Sequence, residues 1–136
     1  MESHMSQRTI VVGYTPTIQG MAAVRAAIEE AGRRGGTLHV VNASAGDSYV
    51  DPGLAGPAQV ADLERLLTEW AVPHLFDQPV GRTDPAEEVL DAADRSAAEL
   101  IVIGLRRRTP VGKLLMGSTA QRILLHATCP VLAVKA

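Results

Sequence analysis

Five short apolar runs alternate with segments of helical periodicity, and this alternation constrains the fold more than any other feature of the chain. The apolar runs cover residues 9–13, 37–42, 74–80, 100–103 and 131–134. The amphipathic segments between them cover residues 18–34, 58–70, 84–97 and 118–126. Such alternation predicts a mainly parallel sheet with helices on both faces. Since crossovers are right-handed, we expect a doubly wound, five-stranded α/β/α sandwich of three layers.

Length and composition indicate one globular domain. The chain has 136 residues, of which 46% are hydrophobic and 21% charged, and these values are close to those of ordinary soluble domains. We expect a single domain over residues 6–136. Residues 1–5 begin Met1-Glu2-Ser3-His4, resemble an expression-tag remnant and are expected to be disordered.

Charge, aromatic content and cysteine content exclude several classes of function. The formal net charge is −2 and aromatic residues make up only 3% of the chain, so neither nucleic acid nor a membrane is an expected partner. Cys129 is the single cysteine, which excludes an internal disulfide and a CxxC zinc site. Because the sequence shows neither a signal peptide nor an apolar run of about 18 residues, we expect a soluble cytoplasmic protein.

Turn residues and apolar spacing predict the helix ends and the buried faces. Gly35 ends the first helix, as glycine often does at a helix C-terminus. Asp84 caps the third helix and Glu87 completes a capping box, while Ser118 or Thr119 caps the fourth. The residues expected to face the core include Ala61 and Trp70 in the second helix, Ala97 in the third and Leu124 in the fourth.

The segment 104–119 is rich in glycine and basic residues, and it connects the fourth apolar run to the fourth helix. Its cations and hydroxyls are Arg106, Arg107, Arg108, Lys113, Thr109, Ser118 and Thr119. Free N–H groups and the dipole at a helix start favour an anion, so a phosphate is the expected ligand. Alternatively, the arginines form a solvated surface and the glycines only shape the turn. The segment matches neither a Walker A loop nor a GxGxxG turn.

Three loops are expected to meet at one edge of the sheet. In doubly wound sheets, ligands bind beyond the carboxyl ends of the strands, where the strand order reverses. The loops that follow the first, second and fourth strands cover residues 13–17, 41–44 and 104–119. We therefore expect them to form one cleft.

The sequence resembles the universal stress protein family over nearly all of residues 8–135. The resemblance rests on the motifs Val11-Val12-Gly13-Tyr14, Asp84-Pro85-Ala86-Glu87, Gly117-Ser118-Thr119-Ala120 and Cys129-Pro130-Val131-Leu132. It implies the fold class called adenine nucleotide alpha hydrolase-like.

The resemblance also implies a nucleotide site. ATP-binding members resemble the pattern G-x2-G-x9-G-[S/T], to which Gly104, Gly117 and Ser118 correspond. Arg107 replaces the second glycine, and Thr15 stands where the family pattern has an aspartate. Carried over residue by residue, the implied nucleotide-binding residues are Gly13, Tyr14, Thr15, Val41, Gly104, Arg106, Arg107, Gly117, Ser118 and Thr119. A Mg²⁺ ion could accompany a triphosphate, but the sequence offers no dedicated carboxylate for it.

Three functional hypotheses follow. The first is a stress-response regulator that binds ATP or a related nucleotide without dedicated catalysis. The second is a non-nucleotide-binding interaction module of the same family, whose last strand, residues 131–134, pairs with its copy in a homodimer. The third is a slow ATPase, which Thr15 in place of an acid disfavours.

Overall fold

The computed structural model describes residues 8–43, 53–79, 84–106 and 116–136. It contains five strands and four helices in alternation. The strands are β1 (Thr9–Gly13), β2 (Thr37–Val41), β3 (His74–Asp77), β4 (Leu100–Leu105) and β5 (Val131–Lys135). The helices are α1 (Ile18–Arg34), α2 (Pro57–Glu69), α3 (Pro85–Ser96) and α4 (Ser118–His126). The predicted residues 1–5, Arg107, Arg108 and Lys113 lie outside the described residues.

The strands form one sheet in the order β3-β2-β1-β4-β5. All four pairings between neighbouring strands are parallel. The chain leaves β1 toward β2 and β3 and then returns to the other side of β1 to form β4, so the strand order reverses between β1 and β4. The doubly wound sheet is therefore confirmed, and the edge at which such sheets bind ligands lies at the carboxyl ends of these two strands.

Two apolar clusters, one on each face of the sheet, make the three layers. In one cluster, buried residues of α1 and α2, such as Val24 and Leu63, pack against buried strand residues such as Val102. In the other cluster, Val89 of α3 and Ile123 of α4 pack against residues on the opposite face of the strands. The central strand has buried residues on both faces because helices cover both, as its continuous apolar sequence predicts.

Of two predicted helix ends, one is confirmed and the other is not. Gly35 ends α1 as expected, in the left-handed conformation with φ of +65°. Asp84 occupies the N-cap position of α3, but its side chain makes no capping hydrogen bond, so the predicted capping box is wrong. Instead, carboxylate oxygens of Asp84 and Glu87 lie 3.5 Å and 3.4 Å from the guanidinium of Arg122 on α4. These ion pairs connect α3 to α4.

The predicted bounds of α4, residues 118–126, are confirmed, but its predicted N-cap residue is wrong. Gly117, not Ser118 or Thr119, is the N-cap residue, and it has no side chain with which to cap the helix. Gly104 and Leu105, which were predicted to begin the loop, belong to β4, where they pair with Val134 and Lys135.

Four residues predicted to face the core do not. Ala61 and Leu124 are exposed, and Ala97 is the exposed C-cap residue of α3. Trp70 follows the end of α2 and is 64% exposed. Helical spacing extended the apolar stripe of α2 to Trp70, but the chain leaves the helix there, and Ala71 adopts a left-handed conformation with φ of +54°.

Candidate functional site

A cleft of about 660 Å³ lies at the carboxyl ends of β1, β2 and β4. Its volume falls in the usual range for small-molecule sites. Its walls include the first residues of α1 and α4 and the start of α3, and its lining comprises Gly13, Tyr14, Thr15, Gln19, Gly20, Val41, Ala43, Gly53, Pro85, Val89, Ile103, Gly104, Leu105, Arg106, Met116, Gly117, Ser118, Thr119, Ala120 and Ile123. Described residues of all three loops that were expected to meet line this cleft.

The structure brings together nine of the ten nucleotide-binding residues predicted from the sequence. Gly13, Tyr14, Thr15, Val41, Gly104, Arg106, Gly117, Ser118 and Thr119 all line the cleft. The tenth, Arg107, lies outside the described residues. The assignment of these residues to a nucleotide stays a prediction.

Tyr14 contributes a wall to the cleft, and its backbone N–H and carbonyl are both engaged in hydrogen bonds within the protein. Its backbone N–H donates to the Val41 carbonyl at 2.9 Å, and its own carbonyl accepts from the Asn42 amide at 2.8 Å. Its ring is 3% exposed and packs in the core with α1 and α2. Burial, helped by the charge of Asp62, raises the pKa of Tyr14, so its hydroxyl stays protonated at neutral pH.

Thr15 is held by its own turn. Its hydroxyl lies 2.8 Å from the hydroxyl of Thr17, and its carbonyl accepts the Thr17 N–H at 2.8 Å. Thr17 is the N-cap of α1 and accepts a hydrogen bond from the Gly20 N–H at 3.0 Å. The N-terminus of α1 is therefore already capped where it faces the cleft.

Two glycines allow backbones to pack closely beside the cleft. A Cβ at Gly20 would lie 1.8 Å from the carbonyl oxygen of Thr15, and a Cβ at Gly104 would lie 2.0 Å from that of Gln19. Neither position can hold a side chain without moving backbone. The structural role of Gly104 is thus to let β4 approach the first turn of α1, in addition to any contact with a ligand.

The start of α4 presents backbone donors that no side chain of the described residues caps. Gly117 supplies no acceptor, and Ser118 and Thr119 are exposed and line the cleft. The first N–H groups of a helix have no partner within the helix, and they carry a partial positive charge. Arg106 stands nearby at the end of β4, and it is the one charged residue among the described residues that line the cleft. This end of the cleft suits an anion.

The remaining wall is apolar. Val89 of α3, Ile103 of β4 and Ile123 of α4 line it, together with Val41 and Ala43. A Cβ added at Gly13 would meet Val89 and Ile103 at 3.5 Å and 3.6 Å, so Gly13 borders this surface. An apolar wall beside an anion-binding helix start fits a ligand with a flat, uncharged part and an anionic part.

Sequence reasoning missed Asn42, which holds two sides of the cleft in place. Its amide donates to the carbonyls of Tyr14 and Gly53, and its carbonyl oxygen accepts the Ala55 N–H and the Gln78 amide. Asn42 is completely buried, and all four distances lie between 2.7 Å and 2.9 Å. The available signal was its position, since a polar residue directly follows the apolar strand β2.

A family model of the universal stress protein family matches residues 7–135. The chain belongs to this family. A universal stress protein from Mycolicibacterium smegmatis is 55% identical to it over 126 residues, which cover 93% of this chain and 96% of that protein. Membership places the chain among stress-response proteins and confirms the resemblance inferred from its motifs.

Solved structures of family members share the fold. A universal stress protein from Archaeoglobus fulgidus superposes with a TM-score of 0.70 at 26% identity, covering 95% of this chain and 98% of that one. A universal stress protein from the same organism in complex with dAMP superposes with a TM-score of 0.65 at 24% identity and the same coverage. Both likenesses support the adenine nucleotide alpha hydrolase-like fold for this family member.

The described residues of this family member offer neither a metal centre nor a membrane span. No group of three or more histidine, cysteine or acidic side chains within them could hold a metal ion. Among the helices in the same ranges, none is long and apolar enough to cross a membrane.

Proposed function

We propose that this universal stress protein binds an adenine nucleotide in the cleft and acts through binding, without dedicated catalysis. The observation that carries the proposal is the combination of an apolar wall with the uncapped start of α4 in one cleft. The complex of the Archaeoglobus fulgidus relative with dAMP supports this class of ligand.

The base of the nucleotide would occupy the apolar part of the cleft. Val41, Val89, Ile103 and Ile123 offer aliphatic surface to a planar ring. Thr15, which replaces the family aspartate, offers a neutral hydroxyl instead of a carboxylate. Since that hydroxyl is already within hydrogen-bond distance of Thr17, we expect polar recognition of the base to be weak and van der Waals contact to dominate.

The phosphate would lie at the start of α4. The N–H groups of Ser118 and Thr119 and their hydroxyls are the donors, and Arg106 is the countercharge. Mg²⁺ stays a prediction: the described lining residues include no carboxylate to ligate it, so a magnesium ion would be held by the phosphates of the ligand.

Calorimetric titration of nucleotide-free protein with AMP, cAMP and ATP, each with and without Mg²⁺, tests the proposal. A micromolar dissociation constant, about −8 kcal/mol, is the expected result for at least one nucleotide. No heat at high protein concentration would contradict it. Slow phosphate release that is unchanged by Ser118→Ala would point to a contaminating ATPase.

Arg106→Ala separates the phosphate contribution from that of the base. We expect it to weaken nucleotide binding about threefold to tenfold, because an exposed arginine contributes modestly to phosphate binding. Binding of adenosine, which has no phosphate, should not change. Arg65→Ala is the matched control, because Arg65 is an exposed arginine outside the cleft that pairs with Asp62.

The second candidate function, a homodimeric interaction module, is favoured by the position of β5. This strand forms one edge of the described sheet, and none of its residues is fully buried. A free apolar edge can pair with a second copy. We also propose a cytoplasmic location and a single domain over residues 6–136.

Ala133→Pro tests pairing through β5. The Ile101 N–H donates to the Pro130 carbonyl, so along β5 the peptide groups of Leu132 face β4 and those of Ala133 face outward. Proline at 133 therefore removes an outward donor without removing a bond to β4. Sedimentation velocity should show loss of the dimer, and an unchanged dimer would contradict this candidate.

A further inference from the structure

A second concave surface lies between α1 and α2, apart from the nucleotide cleft. This groove has a volume of about 400 Å³, and it is lined by Arg25, Ile28, Glu29, Gly32, Leu66, Trp70, Ala71, Val72 and Pro73. No described residue lines both the groove and the cleft. The nucleotide binding proposed above does not involve this groove.

Trp70 is the most unusual residue of the groove. It is the only tryptophan of the chain, and 64% of it is exposed. The chain turns at Ala71, whose φ of +54° is uncommon for a residue with a side chain, and so Trp70 stays at the groove rather than under α2. A tryptophan that becomes buried at an interface removes about 150–250 Å² from water. The exposed ring is therefore a strong anchor for a partner.

Two opposite charges of the groove have no ion-pair partner among the residues that the structure describes. Arg25 and Glu29 are four residues apart on α1 and both are exposed, yet they form no ion pair with each other or with a third described residue. By contrast, Glu30 on the same helix pairs with Arg33 and Arg34. The groove thus carries one unused cation and one unused anion, one helical turn apart.

The charge pattern of Arg25 and Glu29 is complementary to the same pattern on a second copy of the chain. A two-fold axis that brings two α1 helices together antiparallel places Arg25 of each copy opposite Glu29 of the other. Gly32 lies on the same stripe as Arg25, Ile28 and Glu29, and a Cβ there would have no atom within 4 Å. A second backbone could therefore come close at this point.

We infer that the groove between α1 and α2 is an isologous interface with a second copy of this chain, in which Trp70 of each copy packs into the groove of the other. One groove is smaller than a standard stable interface, so the association is weak and concentration-dependent. It is independent of pairing through β5, because the two surfaces have no described residue in common.

Trp70 itself reports the association, because it is the only tryptophan. Its fluorescence should shift to shorter wavelength as protein concentration rises, and sedimentation velocity should show the oligomer over the same range. Trp70→Ala should abolish this concentration-dependent step in sedimentation. Leu125→Ala, which removes another exposed apolar side chain that does not line the groove, and Ala133→Pro should leave it in place.

A charge exchange makes the test specific. Arg25→Glu places like charges across the interface and should raise the dissociation constant at least about tenfold. The double variant Arg25→Glu, Glu29→Arg restores opposite pairs and should recover most of the affinity, which a role in the monomer alone would not predict. Fluorescence independent of concentration in the wild type, or equal loss of association in the single and double variants, would overturn the inference.

Discussion

Two helix N-termini face the same cleft, and they are built in opposite ways. The start of α1 is capped by Thr17, and its first turn packs against backbone so closely that Gly20 has no space for a Cβ. The start of α4 has only Gly117 as its N-cap, with no atom within 4 Å of a Cβ position. The difference teaches that two helix starts beside one cleft are not equivalent: no described side chain caps the N–H groups of α4, whereas Thr17 caps α1.

The largest effect is expected at the closely packed helix. Gly20→Ala places a Cβ 1.8 Å from the Thr15 carbonyl oxygen, so backbone must move, and we expect unfolding free energy to fall by about 3 kcal/mol or more. Urea denaturation measures this. Gly32→Ala is the control, since a Cβ there meets nothing within 4 Å and alanine favours a helix by about 1 kcal/mol. Equal effects of the two substitutions would contradict the close packing.

The second largest effect is expected when the buried hydrogen bonds of Asn42 are removed. Asn42→Ala leaves the buried carbonyl of Tyr14 without this donor and the buried Ala55 N–H without its acceptor. We expect a loss of about 2–4 kcal/mol in urea denaturation, because unsatisfied buried polar groups cost about 1–3 kcal/mol each and the loop can relax in part. Gln121→Ala, which removes one exposed hydrogen bond, should change stability by less than about 0.5 kcal/mol.

The uncapped helix can be capped artificially. Gly117→Asp supplies an acceptor for the first N–H groups of α4 and puts a negative charge where the phosphate would lie. We expect stability to stay within about 1 kcal/mol while nucleotide affinity falls more than about tenfold. Calorimetric titration and thermal melting measure the two quantities.

Gly56→Asp is its matched control. Gly56 is the extended N-cap residue of α2 and does not line the cleft. The substitution should have a similar effect on stability and none on nucleotide affinity. If Gly117→Asp binds nucleotide as the wild type does, α4 does not hold the phosphate.

The smallest effect is expected at His74, the first residue of β3, which forms an edge of the described sheet. The ring of His74 lies 2.8 Å from the Val72 carbonyl and 2.7 Å from Glu64. Burial disfavours its charged form, but these two hydrogen bonds outweigh burial and raise the pKa of His74. The stabilisation is therefore fully present below the unfolded-state pKa of 6.5 and is lost as pH rises through the folded-state value.

Urea denaturation of the wild type and of His74→Gln near pH 5.5 and pH 8.5 checks the sign. The stability difference between the two proteins should be larger at the lower pH. Burial lowers the pKa of His39, so the contribution of His39 to stability changes with pH in the opposite direction. Because His39 is present in both proteins, its contribution cancels in their difference. A difference independent of pH would contradict the account of His74.

The sequence alone determined the fold class and the edge of the sheet at which the cleft lies. Short apolar strands alternating with amphipathic helices restrict the chain to a parallel sheet covered on both faces, and the motifs around Gly104 and Gly117 placed the expected site at its carboxyl edge. These features are local or periodic, so they can be read from the order of residues.

Only the tertiary structure decided which groups at that edge are available. The backbone N–H of Tyr14 is engaged, Asn42 connects two walls of the cleft, and Gly117 rather than Ser118 is the N-cap residue of α4. Trp70 fits the apolar stripe of α2 by its spacing, yet it lies outside the helix and at a separate groove. Such outcomes depend on contacts between residues distant in the sequence, and helical or strand periodicity carries no information about those contacts.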